Sequence, residues 1–240
     1  MGADNQAKHR QARKLDRKQN IRNSYDRILI VTEGEKTEPN YFNEIRVKYR
    51  LSTANVDVEP SGFGTQPKQI AEYAEHVFLR GDSHKKIKEK AFEKVYIVFD
   101  RDEHTTYYDA LSYIEALDKS KIKNDLGNPV NFYAIASIPC FEFWLLLHYE
   151  NITHWMHRDD VYHNLKSHIS DYEKAATDIF SKTSEHIVDA KQRAKSLINY
   201  EEGDDKDKDI SNTHGSNRYN ENEPYTHVWV LIEELEALKR

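Results

Sequence analysis

In 240 residues the chain has one cysteine, Cys140. That excludes a disulfide framework within the chain and a zinc site built from cysteines. Long apolar runs are missing too. The longest, Phe141 to Leu147, is interrupted by Glu142 and falls far short of the ~18–20 residues that span a bilayer. No apolar segment of the secretory type stands at the start. These absences predict a protein without membrane contact, located in the cytoplasm. Internal repeats are lacking, and strand-like patterns stop after about residue 155.

What is present in quantity is charge. Charged residues make up 32% and hydrophobic ones 38%, enough for one large α/β core with little apolar material to spare. The net charge is −6 but uneven: residues 1–22 carry +5, leaving −11 on the remainder. Residues 1–25 have almost no large apolar side chains and are expected to form an arm outside the core. Within it, Arg10, Arg13, Lys14, Arg17 and Lys18 are candidates for contacts to a phosphate backbone. Charge alone equally permits a solubilising leader.

From Arg27 onward the pattern changes. Four apolar segments read as strands: Arg27–Thr32, Asn55–Glu59, Lys94–Phe99 and Val130–Ser137. Between them lie helical stretches, Lys36–Tyr49, Pro67–Leu79 and Thr105–Ser120, and after the last strand a strongly apolar helix, Pro139–Tyr149. Strands alternating with helices predict βαβ units and a mainly parallel, Rossmann-like sheet covered on both faces. Helices are expected at Arg158–Ile169, Tyr172–Ser181, Glu185–Tyr200 and Pro224–Lys239. The predicted organisation is therefore an arm (1–25), an α/β core of about four strands (26–150) and a helical extension (151–240). Residues 201–223, almost wholly polar, are expected to form a mobile loop in that extension.

Acidic residues recur at equivalent places. Glu33 follows the first strand directly, and Asp100 and Asp102 follow the third. Glu142 sits in the helix after the fourth. Parallel strands end on one edge of an open sheet, where ligands bind, so these carboxylates should meet in one crevice. In extended chain, residues i and i+2 point the same way, about 6.5 Å apart at Cα, so Asp100 and Asp102 are expected to reach one ion or two neighbours. Clustered carboxylates repel, and a divalent cation relieves them. All-oxygen ligands favour Mg²⁺ or Mn²⁺ over zinc. Glu142 is the one charge in a helix apolar all round, so it must be paired, either with this site or with a buried Arg or Lys.

The stretches Ile28–Phe42 (ILIVTEGEKTEPNYF), Val98–His104 (VFDRDEH) and Ser137–His148 (SIPCFEFWLLLH) resemble, in order, three motifs of the RloB family. Pro224–Val228 (PYTHV) before Leu231-Ile232 is similar to its C-terminal helix. The resemblance covers about residues 8 to 240. It implies a Toprim-like fold and a Mg²⁺-dependent nuclease of phage defence or abortive infection, acting on RNA such as tRNA, with a partner ATPase or an oligomer possible. In the implied mechanism Glu33, Asp100 and Asp102 hold the metal, while Glu142 or Glu38 orients the attacking group or takes its proton. Lys36 and Arg101 neutralise phosphate charge. Toprim proteins often carry a second acid shortly after the first Glu, and Glu35 and Glu38 both compete for that role.

Plainer readings stand beside these. Glu35 and Glu38 could serve only the dipole of the first helix, and Asp100-x-Asp102 only a helix cap. His104 and His148 read as hydrogen-bonded structural groups, Cys140 as a small buried hydrophobe, and Ser61–Thr65 as a loop. Two other functions compete with the nuclease. One is a non-cutting sensor of nucleic acid or nucleotide, or a partner-binding module. The other is a haloacid-dehalogenase-like phosphotransferase, against which stand the late position of the Asp pair and an unused Glu33.

Overall fold

The computed structural model describes residues 26–52, 56–102, 104–197 and 223–239. The predicted basic arm (1–25) and residues 201–222 of the predicted loop lie outside the described residues. So do Arg10, Arg13, Lys14, Arg17 and Lys18.

Four parallel strands form the sheet: β1 (Ile28–Thr32), β2 (Val56–Pro60), β3 (Lys94–Asp100) and β4 (Asn131–Ile138), in the order β2-β1-β3-β4. A two-residue strand, β5 (Tyr225–Thr226), pairs antiparallel with β4 at the edge. Helices α1 (Thr37–Lys48), α2 (Pro67–Arg80) and α3 (Tyr107–Lys119) connect the parallel strands in turn. This is a Rossmann-like α/β architecture.

The strands are apolar throughout because both faces are covered. Ile28 and Ile30 of β1, Tyr96 and Val98 of β3, and Tyr133 and Ile135 of β4 join one core with α1 and the C-terminal helices. The alternate residues, Leu29 and Val31, Val95, Ile97 and Phe99, pack on α2 and α3. The period-two division between the faces fixes the register of each strand.

After β4 come α4 (Phe141–Leu146), α5 (Arg158–His168), α6 (Ile179–Thr183), a 3₁₀ turn at Ser184–His186, α7 (Ile187–Leu197) and α8 (Val228–Ala237). Their apolar residues Leu165, Phe180, Ala194 and Trp229 are buried in the same cluster as Ile28 and Ile30. The extension and the sheet thus share one hydrophobic core.

Two sequence expectations are corrected here. Strand structure does not end near residue 155: β5 closes the sheet edge, and Ser137 and Thr226 hydrogen-bond through their hydroxyls at 2.9 Å. Two residues are too short a run to show a period-two pattern. The expected helix Tyr172–Ser181 is reduced to α6. Residues before it are held by α1 instead: Ala175 N–H donates to Thr37 Oγ1, and Asn40 Nδ2 donates to the Ala175 carbonyl. Ala175 takes φ 88°, which a helix cannot accommodate.

Candidate functional site

The strand order reverses between β1 and β3, and the crevice at their carboxyl ends is where an open α/β sheet binds ligands. Glu33 stands there. Its N–H continues the ladder by donating to the Val98 carbonyl at 3.0 Å. Its Oε2 accepts from the Asp100 N–H at 2.9 Å, and Oε1 lies 3.6 Å from His104 Nε2. One strand end and one side chain thereby lock β1 to β3.

Around Glu33 opens a cavity of about 460 Å³. Asp100, Asp102, Glu38 and Glu142 all line it, together with Lys36, Arg158 and Lys174. Glu38 rises from the first turn of α1 and accepts the Gly34 N–H at 3.3 Å. It is buried, whereas Glu35 is exposed at the rim, so the geometry separates the two candidates that the sequence left equal. Glu142, in the first turn of α4, accepts from the buried Tyr172 hydroxyl at 3.1 Å and lies 3.8 Å from Lys174 Nζ.

The expected alignment of Asp100 with Asp102 is not what forms. Asp100 is still in β3, but Asp102 turns back with φ 39°, its N–H donating to the Pro139 carbonyl. The i, i+2 rule applies only to extended chain. Asp102 therefore swings to Arg158, which takes Oδ2, while Oδ1 is buried with no hydrogen-bond partner. Among the described residues, the set whose ligand atoms lie within 4.8 Å of one another is Glu33, Asp102 and His104. Asp100 lines the same cavity but stands outside that set. His104, expected from the sequence to be a structural group, stands inside it.

Burial, reinforced by neighbouring carboxylates, raises these acids. Glu33 and Glu38 are each pushed up to about 7, with burial as the main cause. Asp100 is raised well above the usual range, first by burial and then by Glu33, Glu38 and Glu142. Asp102 is raised by burial even though Arg158 opposes it. The donor set is two carboxylates, one with an orphaned buried oxygen (Asp102 Oδ1), and an imidazole; it suits a divalent cation that accepts both oxygen and nitrogen, Mn²⁺ more readily than Mg²⁺. Glu33, Asp102 and His104 could hold such an ion, with Asp100 beside them.

The remaining candidates are placed as follows. Lys36 is exposed at the cavity rim. Arg101 lies away from this cavity, its guanidinium carbon 5.9 Å from the Tyr107 ring centroid. Cys140 is buried, and burial raises its thiol, which disfavours a thiolate nucleophile. His148 is buried with Nδ1 against the Trp144 carbonyl, and burial lowers it to about 4. Thr65, in the loop after β2, lines the carboxylate cavity. Sequence reasoning missed Arg158, Tyr172 and Lys174. They come from a segment remote along the chain, and no local spacing signals them.

The fold and site together define a Rossmann-like α/β protein with a carboxylate-rich cavity at its topological switch point. The chain belongs to the family described as RloB-like protein, whose model matches residues 28–235. No curated protein and no solved structure matches it. Among the described residues, no helix is long and apolar enough to cross a membrane.

Proposed function

We propose that this protein is a divalent-cation-dependent nuclease of phage defence, with a Toprim-like core and RNA such as tRNA as its favoured substrate. One observation carries the reading. Six acids from three separate chain segments line one cavity beside three cations, at the sheet edge where ligands bind. Family membership supports the defence role.

Glu33, Asp102 and His104, with Asp100 behind them, would hold Mg²⁺ or Mn²⁺. When bound, the ion supplies charge neutralisation at a phosphodiester and acidifies an attacking water or 2′-hydroxyl. Glu38 is held near neutrality by burial, so it is suited to take the proton of the attacking group at physiological pH. Glu142 is kept in place by Tyr172 and faces the same space. Arg158 and Lys174, with Lys36 at the rim, offset the charge of the phosphate. The basic residues of the arm add affinity for the backbone without reading sequence.

The test is incubation with Mg²⁺ or Mn²⁺ and a panel of tRNA, single-stranded RNA, plasmid and single-stranded DNA, beside Asp100→Asn. Cutting that the variant abolishes supports the nuclease. Binding without cutting, retained by the variant, would identify a sensor instead. Phosphate release from small esters would identify a phosphotransferase. Asp100→Asn is expected to fold with an unchanged or higher Tm, since it removes repulsion among buried acids.

A further inference from the structure

A second cavity, also about 460 Å³, adjoins the first. The two share a wall formed by Asp102 and Arg158. The second is built differently. Its floor is Ile138 and Pro139, and Trp155 stands at its side. Arg101, His104, His157 and Asp159 complete the lining.

The floor is rigid and registered to the acids. Arg101 N–H donates to the Ser137 carbonyl at 2.9 Å, and Asp102 N–H to the Pro139 carbonyl at 3.1 Å. Trp155 is the anomaly. The other two tryptophans, Trp144 and Trp229, are almost wholly buried, yet Trp155 is 49% exposed. Its ring lies 6.3 Å from that of His157, centroid to centroid. An indole left open beside an apolar floor offers a flat surface for another ring. The charges of the lining balance, Arg101 and Arg158 against Asp102 and Asp159, and it is the wall shared with the phosphodiester site that points to a ring carried on a nucleic-acid strand.

We propose that this cavity receives one unpaired nucleobase next to the phosphodiester held in the acidic cavity, which makes the protein selective for single-stranded or loop segments. The inference rests on the nuclease reading of the neighbouring site and adds the form of its substrate. The shared wall positions the linkage: Arg158 faces both cavities, so a phosphate there lies between the acids and the base. A base inside a duplex is stacked and paired on both sides and cannot enter such a pocket without leaving the helix. A strand already unpaired enters freely, and stacking on an aromatic side chain tolerates any base.

The test uses the full chain, a short fluorescently silent oligoribonucleotide, and the same strand annealed to its complement. Trp155 is the one exposed tryptophan, so its emission reports the pocket. The single strand is expected to quench that emission saturably, the duplex much less, and Trp155→Phe is expected to lose the signal. By filter binding, Trp155→Ala should bind the single strand about tenfold more weakly, and Trp155→Phe should recover most of that loss. Equal quenching by single strand and duplex would overturn the proposal. So would unchanged binding and cutting in Trp155→Ala. Saturable, strand-selective quenching by a protein that cuts nothing would uphold the base pocket while removing the nuclease reading. Cation-dependent cutting indifferent to Trp155 would do the reverse.

Discussion

At the residue scale, the account turns on acids that are buried against their charge. Glu33 and Glu38 hold protons more tightly in the folded chain than at the ordinary glutamate value of 4.5. Stability from this source is full below that value and is lost as pH rises through about 7. His148 acts in the opposite sense, but only as pH falls below its ordinary 6.5 towards about 4. Between about pH 6.5 and 8 the cation-free protein is therefore expected to lose stability, by about 1 kcal/mol per raised carboxylate. Urea unfolding across that window checks it. The loss should shrink in Glu38→Gln and flatten when Mn²⁺ is added; an unchanged slope in both would contradict the burial argument. Gly34 tests Glu38 from the other side. A Cβ at Gly34 would lie 2.1 Å from Glu38 Oε2, so Gly34→Ala must move that carboxylate. A flexible side chain can yield, so the variant should fold with near-normal Tm and lose about tenfold or more in cleavage rate. Arg158 competes with any cation for Asp102. Arg158→Ala is expected to bind Mn²⁺ more tightly by calorimetry while binding nucleic acid more weakly, a divergence that a misfolded variant would not show.

At the element scale, what the sequence made legible was whatever depended on apolar pattern. The four parallel strands are readable because burial on both faces demands near-continuous apolar runs, and each lies within a residue or two of its expected bounds. Glu142 is readable for the same reason: a lone acid in an apolar helix has to face something polar, and it faces the acidic cavity. Elements set by tertiary partners were not readable. β5 exists because β4 offers an open edge, and residues 172–178 miss their helix because α1 holds Ala175. Asp102 shows the same limit, since its left-handed backbone serves the Pro139 carbonyl and no spacing rule foresees it. Within α4, Trp144 is fully buried, and its indole N–H donates to the Tyr41 hydroxyl at 2.9 Å, tying this helix to α1. Trp144→Ala should cost about 3–5 kcal/mol in chemical denaturation, and a loss under about 1 kcal/mol would mean that the two helices are not locked together.

At the scale of the whole molecule, the sheet and the helices after it are one body with a site assembled from both. Glu33, Glu38, Asp100, Asp102 and Glu142 come from the first part of the chain, and Arg158, Tyr172 and Lys174 from the second. A fragment ending at residue 150 would expose the core face that Leu165, Phe180 and Trp229 cover. It is expected to aggregate or to lack a cooperative thermal transition by circular dichroism; a soluble fragment with a sharp transition would contradict the shared core. The central claim is that acids remote along the chain, with His104, gather around a divalent cation. It is tested most directly by a crystal structure of the full chain soaked in Mn²⁺, with anomalous scattering used to locate the ion. The account predicts a peak bound by Glu33, Asp102 and His104, with Asp100 lining the same cavity. A manganese-free cavity, or an ion bound elsewhere with these side chains unliganded, would contradict it.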